Sequence, residues 1–173
     1  MLTAWLLAGC EGNSPAVTAA MAAGARDPGY SASGAEIIQT GADGAPRYRL
    51  RAAQIAQDPR TLEIDLQDIR LDTRARDATR WQVEAPRGRL SRNTERLRLE
   101  GGVRVVGGDA QDPGRVRIAT PTLDYDLRVA RASASGAVRI TLQGQTLESL
   151  GLEADLRARQ LRLGAAVHGR FSP

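Results

Sequence analysis

From Tyr48 onward the chain alternates apolar and polar residues one for one. The apolar positions are Tyr48, Leu50 and Ala52; Leu62, Ile64 and Leu66; Ile69 and Leu71; Trp81, Val83 and Ala85; Leu97 and Leu99; Val103 and Val105. They continue through Val116 and Ile118; Leu123, Tyr125 and Leu127; Val138, Ile140 and Leu142; Leu152, Ala154 and Leu156; and Leu161 and Leu163, with Arg, Asp, Glu, Gln, Thr or Ser between. A period of two places successive side chains on opposite faces of a strand, so this pattern predicts half-buried strands with one apolar and one solvated face.

Turn-forming residues punctuate the pattern: Asp43-Gly44, Asp58-Pro59, Pro86-Arg87-Gly88, Gly101-Gly102, Gly107-Gly108-Asp109, Asp112-Pro113-Gly114, Ser135-Gly136 and Gly164. Their spacing predicts strands of roughly 5 to 6 residues joined by hairpins. Gly44 reads as a turn glycine, Gly101 as a turn at a strand end, and Gly144 equally as a hairpin turn or as a bulge.

A repeat organises these strands. Ile55, Leu90 and Tyr125 are spaced 35 residues apart. Leu90 is followed by Leu97, Leu99, Gly101, Val103 and Val105, and Tyr125 by Ala132, Ala134, Gly136, Val138 and Ile140, at the same offsets. The first copy slips by one residue after Leu66, and a looser fourth copy runs from Leu156 to Phe171. Repeats of this length stack one supersecondary unit on the next into a continuous apolar face. A stack that does not close has two free edge strands, each a template for strand addition. Here the edges are the segment around Ile37 and Ile38 and the segment containing Leu161, Leu163, Val167 and Phe171.

Ahead of this region the pattern changes. Residues 1–10, MLTAWLLAGC, are apolar but much shorter than the ~20 residues of a membrane-spanning helix. Leu7-Ala8-Gly9-Cys10 matches a lipobox, which makes Cys10 the candidate lipidation site, yet the charged n-region of a signal peptide is missing. A start site placed too far downstream accounts for both features, and a shortened transmembrane anchor fits the same ten residues. Residues 11–30 read as a linker closed by Asp27-Pro28-Gly29-Tyr30, and residues 31–173 as one β domain.

Composition narrows the function. All 24 basic residues are Arg and the chain carries 20 Asp and Glu, for a formal charge of +4. The two signs are interspersed along the strands, which is a solvated mixed-charge face and excludes the basic block of a nucleic-acid binder. Aromatics are 3% of the chain, too few for the stacking platform of a sugar-binding jellyroll. The single cysteine excludes an intramolecular disulfide.

Candidate chemistry is sparse. The one histidine, His168, lies in a strand pattern that turns it away from the apolar face, so neither a Ser-His-Asp nor a Cys-His arrangement can form around it. No cluster of His, Cys and carboxylate has zinc-ligand spacing, and no metal or cofactor is expected. Asp124 and Asp126 share one strand face and could be read as an acid and base pair, but abundant cross-strand Arg partners explain them better. No phosphate-cradling glycine loop is present. The expectation is a protein that is not an enzyme.

The order of several motifs resembles the LptC family of periplasmic lipopolysaccharide-export proteins, from Asp27 to Phe171. Asp27-Pro-Gly-Tyr30, Asp43-Gly44 with Tyr48-Arg-Leu-Arg-Ala52, and Trp81-Gln-Val-Glu-Ala85 look like successive family markers. So do Leu97-Arg-Leu-Glu-Gly-Gly-Val103, Ile118-Ala-Thr120 with Leu123, and Leu150-Gly-Leu-Glu-Ala-Asp-Leu156. Pro121 stands where the family often has an acidic residue.

The resemblance implies an open, twisted antiparallel β-jellyroll on a single inner-membrane anchor, with its β domain in the periplasm. It further implies receipt of lipopolysaccharide from an inner-membrane ABC transporter and its passage to the bridge protein LptA, successive jellyrolls joining through edge strands. On that reading the lipid-facing residues are Leu50, Leu62, Ile64, Leu66, Trp81, Val83, Leu97, Leu99, Val103, Ile118, Leu123, Tyr125, Val138 and Ile140. The same stripe, taken without the resemblance, suits an ordinary sandwich core. A soluble LptA-like bridge component and a structural lipoprotein are the competing functions.

Overall fold

A computed structural model describes residues 29–42, 44–74, 79–91, 93–108, 112, 114–158 and 160–170. In it the alternating segments form nine strands: β1 (Ser31–Thr40), β2 (Pro46–Gln57), β3 (Glu63–Arg74), β4 (Arg80–Ser91), β5 (Arg96–Gly108), β6 (Val116–Asp126), β7 (Arg131–Leu142), β8 (Gln145–Asp155) and β9 (Gln160–Arg170). They pair in chain order as one antiparallel sheet, and among the described residues β1 and β9 do not meet. The expected open antiparallel all-β architecture is therefore present, and the 35-residue repeat corresponds to the hairpin pairs β2–β3, β4–β5 and β6–β7.

Strand length differs from the sequence expectation. The strands are 10 to 13 residues long, about twice the predicted length. Several of the residues read as turns lie in mid-strand: Pro86 in β4, Gly101-Gly102 in β5, Ser135-Gly136 in β7 and Gly164 in β9. Pairing jumps there, between Glu84 and Arg87, Glu100 and Val103, Ala119 and Asp124, Ala134 and Ala137, and Glu148 and Leu150. The ladder resumes on the far side of each break, so these residues bend a strand rather than end it. Pro86 and Pro121 fit at the breaks because proline has no N–H to give a ladder.

The breaks keep the apolar face continuous. A one-residue slip turns every later side chain to the other face. β3 buries Ile64 and Leu66, then Ile69 and Leu71; the residue inserted near Asp68, whose φ is 49°, switches the phase so that both halves point inward. The same switch separates Leu50 and Ala52 from Ile55, Val83 and Ala85 from Leu90, Ile118 from Leu123, and Ser149 from Leu152. In β5 two glycines at φ 93° and 96° lie between Leu99 and Val103, so the phase is unchanged. These are bulges, each adding local bend and twist.

Each strand thus has two arms, and the bend folds one arm over the other. At the lip the Arg47 guanidinium in β2 donates to the Arg128 carbonyl in the β6–β7 turn at 3.1 Å. Leu50, Leu66, Leu71, Leu97, Leu99 and Val103 are fully buried between the arms. Small residues, Ala52, Ala85, Thr120 and Ser149, occupy the inward position just before the bend in the even strands, where the arms converge. The two hydroxyls are satisfied locally: Thr120 donates to the Thr122 carbonyl and Ser149 to the Gly151 carbonyl.

The hairpin turns follow their residues. Gln143 and Gly144 have φ of 49° and 83° between paired Leu142 and Gln145, so Gly144 serves a two-residue hairpin turn and not a bulge. Gly44, at φ 74°, lies in the β1–β2 turn as expected. At the other end Asp58, Asp126 and Asp155 each accept backbone N–H groups two and three residues ahead. Neighbouring turns are stitched together as well, Leu127 N–H to the Glu95 carbonyl and Leu156 N–H to the Ala130 carbonyl, both at 3.0 Å.

Candidate functional site: the apolar interior, its two ends and its lip

The inward residues of adjacent strands lie in register. Leu50 pairs with Leu71 and Leu71 with Val83; Leu90 pairs with Leu97, Leu97 with Tyr125 and Tyr125 with Ala132. Of the fourteen residues expected on the inner face, twelve are buried there. Trp81 is half-buried on the same face, its ring lying over the backbone of Gly107.

Leu62 is the exception and a correction. It precedes β3, has φ 59° and is 46% exposed. The turn from Asp58 causes this: Leu62 N–H bonds the Asp58 carbonyl at 2.8 Å, which holds Leu62 in the loop and out of the ladder.

The interior between β3 and β8 is filled by these side chains. A groove of ≈ 1380 Å³ lies instead along the bend, lined by charged groups such as Arg70, Glu84 and Arg139 and by apolar residues such as Pro86, Pro121 and Leu150. His168 pairs with the outward Glu148, on the solvated side as the alternation predicts.

At its two ends the apolar face is uncovered by any described residue. Among the described residues β1 pairs only with β2, and its inward Ile37 is partly buried while its outward Ile38 is 45% exposed. Likewise among the described residues, β9 pairs only with β8; Leu161 and Val167 are 50% and 49% exposed, and Leu163 is partly buried. The edge strands therefore offer both a free ladder and apolar side chains that continue the interior. Phe171 and Cys10 lie outside the described residues.

The outer face carries a lattice of ion pairs. Glu36 meets Arg51 at 2.9 Å, Arg51 meets Asp72 at 3.5 Å, Arg89 meets Asp65 at 2.9 Å, and Arg139 meets Glu148 at 2.9 Å. Asp124 faces Arg98 at 3.6 Å, and Asp126 is engaged by the backbone N–H groups of Arg128 and Val129. These two carboxylates are thus accounted for by the sheet and its turn. Exposed pairs of this kind contribute little each, and their main effect is to fix register and keep this face in water. Among the described residues no group of three or more His, Cys, Asp or Glu is placed to hold a metal ion.

Two tyrosines mark the lip. Burial pushes the Tyr125 phenol above its ordinary value, with the neighbouring Thr73, Arg157 and Arg47 opposing the rise. Tyr48 is raised as well, first by burial and then by Glu95. Reasoning from sequence passed over Arg47 and Arg157. The signal that could have drawn attention to the second is the Asp-Leu-Arg tripeptide repeated at 126–128 and 155–157.

A single antiparallel meander with a continuous apolar interior, its two end strands unpaired on one side among the described residues, defines the class of fold. Residues 1–172 match the family model described as lipopolysaccharide-assembly, LptC-related, and the chain belongs to that family. Its role accordingly lies in lipopolysaccharide transport. Among solved structures it resembles the crystal structure of LptH from Pseudomonas aeruginosa, the LptA-homologous periplasmic component of the conserved lipopolysaccharide transport device. The TM-score is 0.58 at 14% identity, covering 73% of this chain and 95% of that one, which is a likeness of fold. No curated protein matches the sequence.

Proposed function

We propose that this chain receives lipopolysaccharide from an inner-membrane ABC transporter, carries its acyl chains along the interior, and passes it to a periplasmic bridge protein of the LptA type. The observation that carries the proposal is the continuity of one apolar face across nine strands, ending at β1 and β9 with no further strand paired to either among the described residues. No catalytic step is included: the chemistry is binding and release. Acyl chains gain about 0.8 kcal/mol per methylene buried, so full enclosure would hold the cargo too long. A sheet that closes on itself at the bend and opens at its edges can admit chains between its arms and let them leave.

The filled interior favours a second reading, in which the inner face is only a core. Photo-crosslinking from Ile64, Val83, Leu99 and Ile140 separates the two. Lipopolysaccharide adducts at several of these positions support the conduit; adducts at none would leave the core reading in place. The anchor belongs to the proposal too, as either a transmembrane helix or a lipid on Cys10. Mass spectrometry of membrane-extracted protein distinguishes these from a soluble bridge component.

A further inference from the structure

About half of the arginines whose side chains are described in strands answer a carboxylate. Arg51, Arg70, Arg89, Arg98, Arg131 and Arg139 all do so. Arg80, Arg87, Arg96, Arg104, Arg117 and Arg162 make no ion pair among the described residues. Arg47 in β2 and Arg157 in the β8–β9 turn also lack one, and these two converge. Each turns an Nη2 onto one and the same acceptor, the carbonyl oxygen of Arg128, and among the described residues neither makes an ion pair.

Two guanidiniums on one carbonyl stand within about 6 Å of each other, so their like charges repel, moderated by solvent because both side chains are exposed. A neutral carbonyl only partly offsets that. The surrounding acids do not supply the missing charge: Asp126 is held by the N–H groups of Arg128 and Val129, and Glu95 lies by Tyr48. The pair sits where the β2–β3 arm crosses the β6–β7 and β8–β9 turns, with both arginines in the electrostatic surroundings of buried Tyr125.

The geometry points to a phosphate-binding site formed by Arg47 and Arg157 at the lip of the interior. The inference rests on the conduit reading and names the group of the cargo that the lip would hold. A guanidinium has five N–H donors in a planar fork suited to bidentate contact with phosphate. With one donor of each committed to the Arg128 carbonyl, enough remain for a phosphomonoester to bridge the two. The phosphorylated headgroup of a glycolipid then lies at the lip while its acyl chains point past Tyr125 into the interior. Because Arg47 belongs to one arm and Arg157 to the turn of the other, the bound phosphate ties the arms together at this point.

The test uses the full chain, the Arg47→Gln/Arg157→Gln double variant and the Arg47→Lys/Arg157→Lys double variant, with thermal unfolding as the check on folding. Each is titrated with bis-phosphorylated lipid A in detergent micelles, with chemically dephosphorylated lipid A in the same micelles, and with inorganic phosphate alone. The expected result is a loss of about tenfold or more in affinity for phosphorylated lipid A in the Gln variant, a smaller loss in the Lys variant, and no change toward the dephosphorylated lipid. Equal binding of phosphorylated lipid A by native and Gln chains overturns the site, and so does an equal loss toward both lipids, which would mean a structural role. A native chain that binds inorganic phosphate, loses it in the Gln variant and keeps lipid affinity in both would assign the site to free phosphate and overturn the headgroup assignment. A native chain that binds neither lipid overturns the conduit reading itself, and with it the headgroup assignment.

Discussion

The indole of Trp81 in β4 lies flat enough on Gly107 of β5 that a β-carbon built on the glycine would stand 2.3 Å from the ring. The two residues are register partners, and Gly107 is buried. Only a glycine lets the ring reach inward at this strand end. Gly107→Ala is therefore expected to lose about 1–3 kcal/mol through displacement of the indole. Denaturant unfolding followed by circular dichroism checks this, and an unchanged midpoint would show that the ring simply moves aside.

Burial grades the inner face. Leu99 is 0% exposed whereas Leu161 is 50% exposed. Leu99→Ala is expected to cost about 2–5 kcal/mol and Leu161→Ala less than about 1 kcal/mol. Equal losses, measured as unfolding free energies, would mean that the end of the sheet is covered in solution.

The turn aspartates make the fold sensitive to acid. The carboxyl of Asp155 is held below its ordinary value first by the N–H of Ala158 and then by Arg131; Asp58 is lowered in the same way by the N–H of Arg60. A carboxyl whose folded value is depressed stabilises the fold above its unfolded value, here 3.8, and that stabilisation is lost as pH falls through the folded value. The melting temperature of the native chain should therefore fall below about pH 4. Asp155→Asn, whose amide oxygen can still accept the turn N–H groups, should show a shallower fall. A parallel pH profile for the two proteins would remove Asp155 from the explanation.

The free ladder of β9 is expected to dock the bridge protein. Leu163→Pro removes an N–H from that edge and should weaken capture of an LptA-type partner by about tenfold or more, leaving membrane association intact. Val167→Pro tests the same strand beyond its bulge at Ala166. Undiminished capture by folded variants would place docking elsewhere.

The sheet was legible in the sequence wherever alternation ran unbroken. Leu97, Leu99, Val103 and Val105 could be assigned to one face because the two glycines between them preserve the phase. Strand length was not legible, since Pro86 and Gly136 look alike in a turn and in a bulge. What decides is whether the neighbouring strand continues past them, and that is a property of partners distant in the chain. Leu62 was misplaced for a local reason: the Asp58 turn takes one residue more than the alternation shows. Arg47 and Arg128, 81 residues apart, meet only because the bend folds the arms together.

Pairing in strict chain order has one further consequence. Among the described residues each strand is bonded only to its neighbours in the chain, and no long crossover spans the sheet. The molecule is thus extensible: a duplicated hairpin adds length without redrawing any existing neighbour, and a deleted one moves the edge inward by two strands. Reach across an aqueous gap could in this way be adjusted by copying, with the bend and its phase switch inherited in every copy.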